Sequence, residues 1–235
     1  MRYHQLVLFD IDGTLIYHVG GGPVGLQRFA YSLGRVYGVP GDFNPSEYNG
    51  MIDRQMAWNI VSRHGVSRKT FLEKFPSYIA GMLEYLQEGA KKEKLYEPIR
   101  DAVALVKELR KHPHVALGII TGNAKRIADW KLDHAGIPHE YFQLGLYGGE
   151  ADDRQALAKL VFEKANRVLG QPVAPADIVV VGDTVHDIRA GIAIGAKTIA
   201  VTTGLHGDRV ILAKEKPDLL VDSLMEKSVR DFFGV

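Results

Sequence analysis

Residues 6–15 form an apolar run that ends at two carboxylates and a glycine, in the order Leu-Val-Leu-Phe-Asp-Ile-Asp-Gly-Thr-Leu. A continuous apolar run bounded by a turn signal is typical of a strand buried on both faces of a parallel sheet. Asp10 and Asp12 therefore follow the carboxyl end of a strand, the edge at which open α/β sheets bind ligands. An isolated Asp-Gly pair is most often a plain turn. Whether these aspartates belong to a ligand-binding site therefore depends on the rest of the sequence.

Beyond residue 96, short apolar runs alternate with helical patterns. The runs at 115–121 and 177–183 are like the first one, since each ends in a polar residue next to glycine. Strands that alternate with helices indicate an α/β protein with a doubly wound, Rossmann-like parallel sheet. The other predicted segments are helices at 98–110, 124–134, 154–169 and 188–194 and strands at 141–147, 198–201 and 219–221.

Residues 18–95 differ from the rest of the chain because they contain almost no β-branched run. Apolar residues recur there at helical spacing. This pattern predicts a small all-helical cap, residues 18–95, inserted into an α/β catalytic core made of residues 1–17 and 96–235. The segment Gly-Gly-Gly-Pro at 20–23 lies at the entry to the insert, where it is either a hinge or a surface turn.

The composition narrows the class of protein. The chain has 235 residues, a formal net charge of +1 and no cysteine. So small a charge gives no basic field for nucleic acid, and the lack of cysteine excludes disulfides and thiolate chemistry. No segment approaches the roughly 20 apolar residues that cross a membrane, and the first residues do not have a signal-peptide pattern. We therefore expect a cytoplasmic protein without a nucleic-acid or membrane partner.

Polar residues follow three of the predicted strands. Asp10 and Asp12 follow the first strand, Thr121 ends the second, and Asp183 with Asp187 follows the third. Parallel strands end at one edge of a sheet, so we expect these side chains in one crevice. Four converging carboxylates repel one another unless a cation lies between them. Mg²⁺ fits these oxygen ligands, whereas the absence of cysteine and of a spaced histidine pair argues against zinc.

Three segments resemble, in order, the signature motifs of the haloacid dehalogenase superfamily of phosphohydrolases. They are Asp-Ile-Asp-Gly-Thr-Leu at 10–15, Thr-Gly-Asn at 121–123 and Gly-Asp-Thr-Val-His-Asp at 182–187. Their order and strand-end context match, and the resemblance extends over the whole core. It implies an enzyme that uses Mg²⁺ and an aspartyl-phosphate intermediate.

The resemblance also implies roles for the carboxylates. Asp10 would be the nucleophile that attacks phosphorus, and Asp12 would protonate the leaving alcohol and then activate water. Asp10, Asp12 and Asp183 would be metal ligands, Asp12 also through its backbone carbonyl, and Asp187 would support the metal from nearby.

Phosphoryl binding is assigned by the resemblance to the second motif. Thr121 and the backbone amide of Gly122 or Asn123 would bind the phosphoryl oxygens, where charge is spread in the transition state. The remaining candidates for substrate binding are Gly13, Thr14 and Asp53.

The cationic partner departs from the family pattern. The family usually has a lysine ahead of the helix that precedes the last acidic strand, but residues 148–157 read Gly-Gly-Glu-Ala-Asp-Asp-Arg-Gln-Ala-Leu. Arg154 is favoured for this role, since a guanidinium binds two oxygens at once. Lys159 is the alternative, although a residue at its position in a helix is more often solvated. His186 and His206 are expected to face outward or lie in surface loops.

The presence of Asp12, the second acid of the first motif, favours phosphate-ester hydrolysis over dehalogenation. Dehalogenases of this fold lack an acid at the position of Asp12, whereas phosphatases and phosphomutases have one. We therefore expect a Mg²⁺-dependent phosphatase of small phosphorylated metabolites, similar to phosphoglycolate phosphatases, with the cap as a lid. A β-phosphoglucomutase-like enzyme is the first alternative, and a non-catalytic regulatory protein is the second. The protein is expected to be a monomer or a homodimer.

Overall fold

A computed structural model describes residues 2–20, 24–41, 50–204 and 207–235. Its main sheet consists of β1 (Gln5–Phe9), β4 (Val115–Thr121), β5 (Leu144–Tyr147), β6 (Ile178–Gly182), β7 (Lys197–Val201) and β8 (Leu219–Val221). All neighbours are parallel, in the order β5-β4-β1-β6-β7-β8. This order confirms the predicted doubly wound parallel sheet.

Strand β1 lies between β4 and β6 in the middle of the sheet. Phe9 at its end is opposite Ile119 of β4 and Val181 of β6. Because the three strands run in the same direction, the polar residues that end them come to one edge of the sheet. The first sequence motif is thus flanked by the second and the third.

Helices cover both faces of the sheet. They are α4 (Arg100–Leu109), α5 (Lys125–His134), α6 (Arg154–Lys159), α7 (Val161–Leu169), α8 (Val185–Ala193), α9 (Arg209–Lys214) and α10 (Lys227–Phe233). Val7 and Phe9 belong to the apolar cluster that includes α4, α5 and α10, whereas Leu6 and Leu8 belong to the one that includes α6, α7 and α8. Successive strand residues point to opposite faces, so β1 supplies both layers of the core.

Three described helices lie between the short strands β2 (Ile16–His18) and β3 (Tyr96–Pro98). They are α1 (Val24–Tyr37), α2 (Asp53–Arg63) and α3 (Arg68–Ala90). Strands β2 and β3 pair antiparallel, so the chain enters and leaves this insert side by side. The division into a core of 1–17 and 96–235 and a cap of 18–95 stays a prediction, and residues 21–23 of the glycine segment lie outside the described residues.

Two predicted elements differ from the observed ones. The helix expected at 154–169 is two helices, because the backbone N–H of Leu160 donates to the carbonyl of Leu157, three residues back, and tightens the turn there. The strand expected at 141–147 begins only at Leu144, since His139–Tyr141 form a 3₁₀ turn. Among the described helices, none is long and apolar enough to cross a membrane.

Candidate active site

Three carboxylates, which we call the acid cluster, meet at the carboxyl edge of β1 and β6. Asp10, Asp183 and Asp187 can each offer an oxygen within 4.8 Å of the other two. Their exposed fractions are 6%, 2% and 1%, so little water separates their charges. The three residues come from two of the predicted motifs, which the parallel sheet brings together as expected.

The backbone around Gly13 makes room for the carboxylate of Asp183. A Cβ on Gly13 or on Gly204 would overlap this carboxylate, and Gly13 also has a φ of +88°, which favours glycine. The hydroxyl of Thr14 donates to Asp183 Oδ1 at 3.2 Å. Gly13 and Thr14 thus hold a member of the acid cluster, and their predicted contact with substrate stays a prediction.

The first turn of α8 fixes Asp187. Its Oδ2 accepts hydrogen bonds from the Thr184 backbone N–H at 3.0 Å and from the Thr184 hydroxyl at 2.6 Å, and the Thr184 hydroxyl caps the helix in return. This reciprocal capping box leaves Oδ1 of Asp187 pointing to the acid cluster, where Arg154 donates to it.

Arg154, the first residue of α6, is the cation beside the acid cluster. Its Nη2 donates to Asp10 Oδ1 at 3.1 Å and also contacts Asp187 Oδ1. Asp153 caps α6 by accepting from the Ala156 N–H at 2.7 Å, which fixes the start of the helix. Lys159, by contrast, is exposed on α6. Between the two predicted candidates, the geometry brings Arg154 to the carboxylates.

The acid cluster carries more negative charge than Arg154 balances. Burial and the neighbouring Asp187 raise the pKa of Asp10 well above its usual value, although Arg154 opposes them. Burial and Asp187 also raise the pKa of Asp183 to about 8. A hard divalent cation with oxygen ligands relieves this repulsion, so Asp10, Asp183 and Asp187 fit a Mg²⁺ site.

A second group, the Asp12 arm, consists of Asp12, Asn123 and Lys131. Lys131 Nζ donates to both carboxylate oxygens of Asp12 at 2.8 Å and to Asn123 Oδ1 at 2.9 Å, and Asn123 Nδ2 donates to Asp12 Oδ2 at 2.7 Å. Desolvation raises the pKa of Asp12, but the charge and hydrogen bonding of Lys131, the hydrogen bond from Asn123 and the charge of Arg28 together lower the pKa below its usual value. The carboxylate of Asp12 is not part of the acid cluster among the described residues, so its predicted metal contact depends on its backbone carbonyl.

Lys131 was not among the residues expected at the site. It lies on the buried side of α5 with Ile127, Ala128 and Leu132. A lysine at a core-facing position of a helical pattern is the signal that could have identified it, because a buried lysine nearly always has a charged or polar partner.

The second motif offers a donor toward the crevice. Thr121 Oγ1 accepts hydrogen bonds from the backbone N–H of Asn123 at 3.2 Å and from its Nδ2 at 2.9 Å. No residue in the described part of the chain accepts the hydrogen of this buried hydroxyl. Gly122 allows close approach, since a Cβ there would lie 3.1 Å from the carbonyl of Met51 and 3.6 Å from Arg154 Nη1.

Residues 50–54, which we call the covering segment, contact residues that are neighbours of both groups in the chain. The Asp53 N–H donates to the Gly122 carbonyl at 2.7 Å, and Asp53 Oδ2 accepts from the Ala124 N–H at 2.8 Å. The Arg54 N–H donates to the carbonyl of Gly148 at 3.1 Å. Asp53, a predicted substrate-binding residue, is buried and bonded to the second motif; whether it also touches substrate stays a prediction.

The start of the covering segment lies against the third motif. Gly50 has a φ of +74°, and a Cβ there would overlap the imidazole of His186. His186 is therefore in contact with the insert and only partly exposed, not turned outward as expected. Burial and Arg154 lower its pKa. His206 lies outside the described residues.

Comparison with known proteins identifies related hydrolases. A family model for haloacid dehalogenase-like hydrolases matches residues 4–195. The phosphoglycolate phosphatase of Neisseria meningitidis is 28% identical over 232 residues, which cover 96% of this chain and 93% of that protein. The pyrophosphatase PpaX of Bacillus cereus is 26% identical over 220 residues, which cover 94% and 93%.

Solved structures share the fold. CbbY from Rhodobacter sphaeroides, determined in complex with phosphate, is 20% identical and has a TM-score of 0.68, with 97% of this chain and 99% of that chain covered. A haloacid dehalogenase-like family protein from Streptococcus pneumoniae is 20% identical, with a TM-score of 0.61 and coverage of 97% and 98%. At these identities the likeness supports the architecture alone.

Proposed function

The chain belongs to the haloacid dehalogenase-like hydrolase family, and we propose that it hydrolyses small phosphate monoesters with Mg²⁺ through an aspartyl-phosphate at Asp10. The observation that carries this proposal is the separation of two carboxylates. Asp10 lies in the acid cluster beside Arg154, whereas Asp12 is held apart by Lys131 and Asn123. This separation supports a nucleophilic role for Asp10 and a proton-transfer role for Asp12.

The first step joins phosphorus to Asp10. An oxygen of Asp10 attacks phosphorus, the bond to the leaving alcohol oxygen breaks, and Asp12, in the fraction of the enzyme in which it is protonated, gives its proton to that oxygen. Arg154 and the hydroxyl of Thr121 would bind the other phosphoryl oxygens, on which charge is spread in the transition state. Bound Mg²⁺ would supply further neutralisation of the phosphoryl charge.

The second step releases phosphate. Asp12 accepts a proton from water, the water oxygen attacks phosphorus, and the bond to Asp10 breaks, which restores both carboxyl groups. Asp12 therefore alternates between acid and base. An enzyme that cleaved carbon–halogen bonds would have no leaving oxygen to protonate, so the presence of Asp12 favours a phosphatase.

The substrate is proposed to be a small phosphorylated metabolite. We propose that the covering segment, which bonds to Gly122 and contacts His186, acts as a lid that excludes bulk water from the intermediate. Two curated relatives are named phosphoglycolate phosphatase and pyrophosphatase. We favour a phosphorylated small acid over pyrophosphate, because the Neisseria protein is the more similar of these two.

The proposal is tested by phosphate release from phenyl phosphate with and without Mg²⁺, followed by 2-phosphoglycolate and pyrophosphate compared as kcat/KM. We expect Mg²⁺-dependent release that Asp10→Asn abolishes while circular dichroism and the melting temperature stay close to wild type. Undiminished release by Asp10→Asn would refute the mechanism. A β-phosphoglucomutase-like enzyme would instead convert a sugar 1-phosphate to the 6-phosphate without accumulating free phosphate.

A further inference from the structure

The buried ammonium of Lys131 has all of its hydrogen-bonding capacity engaged at the candidate active site. A lysine ammonium has three hydrogens to donate. Lys131 Nζ has three acceptors, which are the two carboxylate oxygens of Asp12 and Oδ1 of Asn123, at 2.8, 2.8 and 2.9 Å. Its side chain is 3% exposed, so a substrate cannot reach the ammonium without displacing one of these partners.

The residues that pack around Lys131 hold its ammonium beside Asp12. Lys131 belongs to the buried side of α5. The ring centre of Tyr96, from β3, lies 5.1 Å from Nζ, and Tyr96 itself is buried. A desolvated ammonium between a carboxylate and an aromatic face is held by both, so it has little freedom to move.

Asp12, in contrast, has little else to fix its side chain. It lies in the turn after β1, and its side chain is 46% exposed although its neighbours Ile11 and Thr14 are buried. Its carboxylate accepts three hydrogen bonds in the described structure, two from Lys131 and one from Asn123, and Asn123 is itself bonded to Lys131. Without Lys131 the carboxylate would keep one direct bond, to the Asn123 amide, which would lose the donor to its Oδ1 and keep its bond to Thr121 Oγ1.

We infer that Lys131 is a positioning residue, which holds the Asp12 carboxylate at the leaving-group side of Asp10 and apart from the acid cluster. This inference rests on the proposed phosphatase function. Lys131 touches neither the phosphoryl group nor the nucleophile in this arrangement, and it acts through Asp12. Its loss therefore harms the reaction only where proton transfer by Asp12 is needed.

The two steps of the reaction allow this claim to be tested with two substrates. The value of kcat/KM reports events through departure of the leaving group when formation of the aspartyl-phosphate is irreversible. Phenyl phosphate releases a basic phenolate that needs a proton, whereas 2,4-dinitrophenyl phosphate releases a stable anion that does not. A misplaced Asp12 slows the first reaction and spares the second.

The experiment measures kcat/KM of Lys131→Met with both substrates. We expect a loss of about a hundredfold or more with phenyl phosphate, the usual range for a lost general acid, and a loss below about fivefold with 2,4-dinitrophenyl phosphate. Lys125→Met is the matched control, because Lys125 is exposed on the same helix and pairs with Asp129. It should leave both values at the wild-type level.

A second comparison separates positioning from general loss of structure. If Lys131 acts only through Asp12, then Lys131→Met added to Asp12→Asn changes neither kcat/KM value further. Equal losses with the two substrates, or an additional loss in the Asp12→Asn background, would overturn the inference while leaving the phosphatase proposal intact. A wild-type protein that hydrolyses neither ester would refute the proposed function as well.

A crystal structure of Lys131→Met provides a test that does not depend on activity. We expect the Asp12 side chain in a different rotamer or in several, with Asn123 also displaced. An Asp12 carboxylate that keeps its wild-type position in this variant would contradict the inference.

Discussion

Asp10 and Asp12 lie two residues apart on one loop, yet their carboxylates have opposite surroundings. Asp10 is buried among like charges, which raise its pKa, and it shares one arginine with Asp187. Asp12 is half exposed and bound by an ammonium of its own, which lowers its pKa. Strand β1 ends at Phe9, so both aspartates lie in the turn that follows it, where different helices supply the two cations.

The different surroundings let one short motif hold two roles. The acid cluster concentrates negative charge where a metal ion and a phosphoryl group would meet, with Arg154 as its only close cation in the described structure. The Asp12 arm pairs a single acid with a cation of its own.

Asp10→Asn should have the largest effect, because it removes the nucleophile from both steps. We expect kcat/KM to fall by about ten-thousandfold or more with every phosphate ester, as for other covalent hydrolases that lose their nucleophile. Asp12→Asn should instead spare 2,4-dinitrophenyl phosphate. Initial rates over a range of substrate concentrations give kcat/KM for each variant. An equal loss of kcat/KM in both variants with both esters would contradict the separate roles of Asp10 and Asp12.

Arg154→Met should lower kcat/KM by about a hundredfold to a thousandfold for good and poor leaving groups alike, since the lost charge acts on the phosphoryl oxygens. This uniform loss distinguishes the acid cluster from the Asp12 arm. Lys159→Met, a change of an exposed lysine on the same helix, is the control and should keep wild-type rates. A loss of kcat/KM in Arg154→Met that depends on the leaving group would contradict the proposed difference between the acid cluster and the Asp12 arm.

Gly50→Ala should lower kcat/KM by about tenfold, because the new Cβ overlaps His186 in a backbone conformation that costs about 1 kcal/mol or more for alanine. The covering segment would then close poorly over both groups. Gly65→Ala is the control, since Gly65 has a φ of +77° but nothing within 4 Å of the added Cβ. Equal effects of the two substitutions would show that strain alone, and not the contact with His186, is responsible.

Mg²⁺ should stabilise the wild-type protein by about 2.7 kcal/mol at a concentration one hundred times its dissociation constant. Urea unfolding with Mg²⁺ and with a chelator measures this gain. Asp183→Asn should lose it, because one carboxylate of the acid cluster is gone, whereas Asp12→Asn should keep most of it through its unchanged carbonyl. A gain that survives in Asp183→Asn would place the metal elsewhere.

The core could be predicted from the sequence because its signals are local. A continuous apolar run such as 6–9 specifies a strand buried on both faces, and a parallel sheet then fixes where the following acids lie. The juxtaposition of Asp10 with Asp183 needs only the order of three strands. Arg154 could be predicted as the cationic partner because it begins a helix that follows a strand of the same sheet.

Other parts of the site depend on contacts that no local pattern encodes. The pairing of Lys131 with Asp12 joins residues 119 positions apart and depends on how α5 lies on the sheet. The contact of Gly50 with His186 depends on how the insert lies over the core, which helical spacing does not determine. The division of the helix at Leu160 could not be predicted either, because the apolar pattern continues through that residue.

In the proposed reaction Asp10 carries the phosphoryl group, while Asp12 donates and accepts protons. The most direct measurement is acid quenching of Asp12→Asn during turnover of 2,4-dinitrophenyl phosphate with Mg²⁺, followed by mass spectrometry of the tryptic peptide 3–28. We predict a phosphorylated peptide, with an alkali-labile acyl phosphate at Asp10, that is absent from the double variant Asp10→Asn/Asp12→Asn. Turnover without any phosphorylated peptide, or with the label on another residue, would contradict the account.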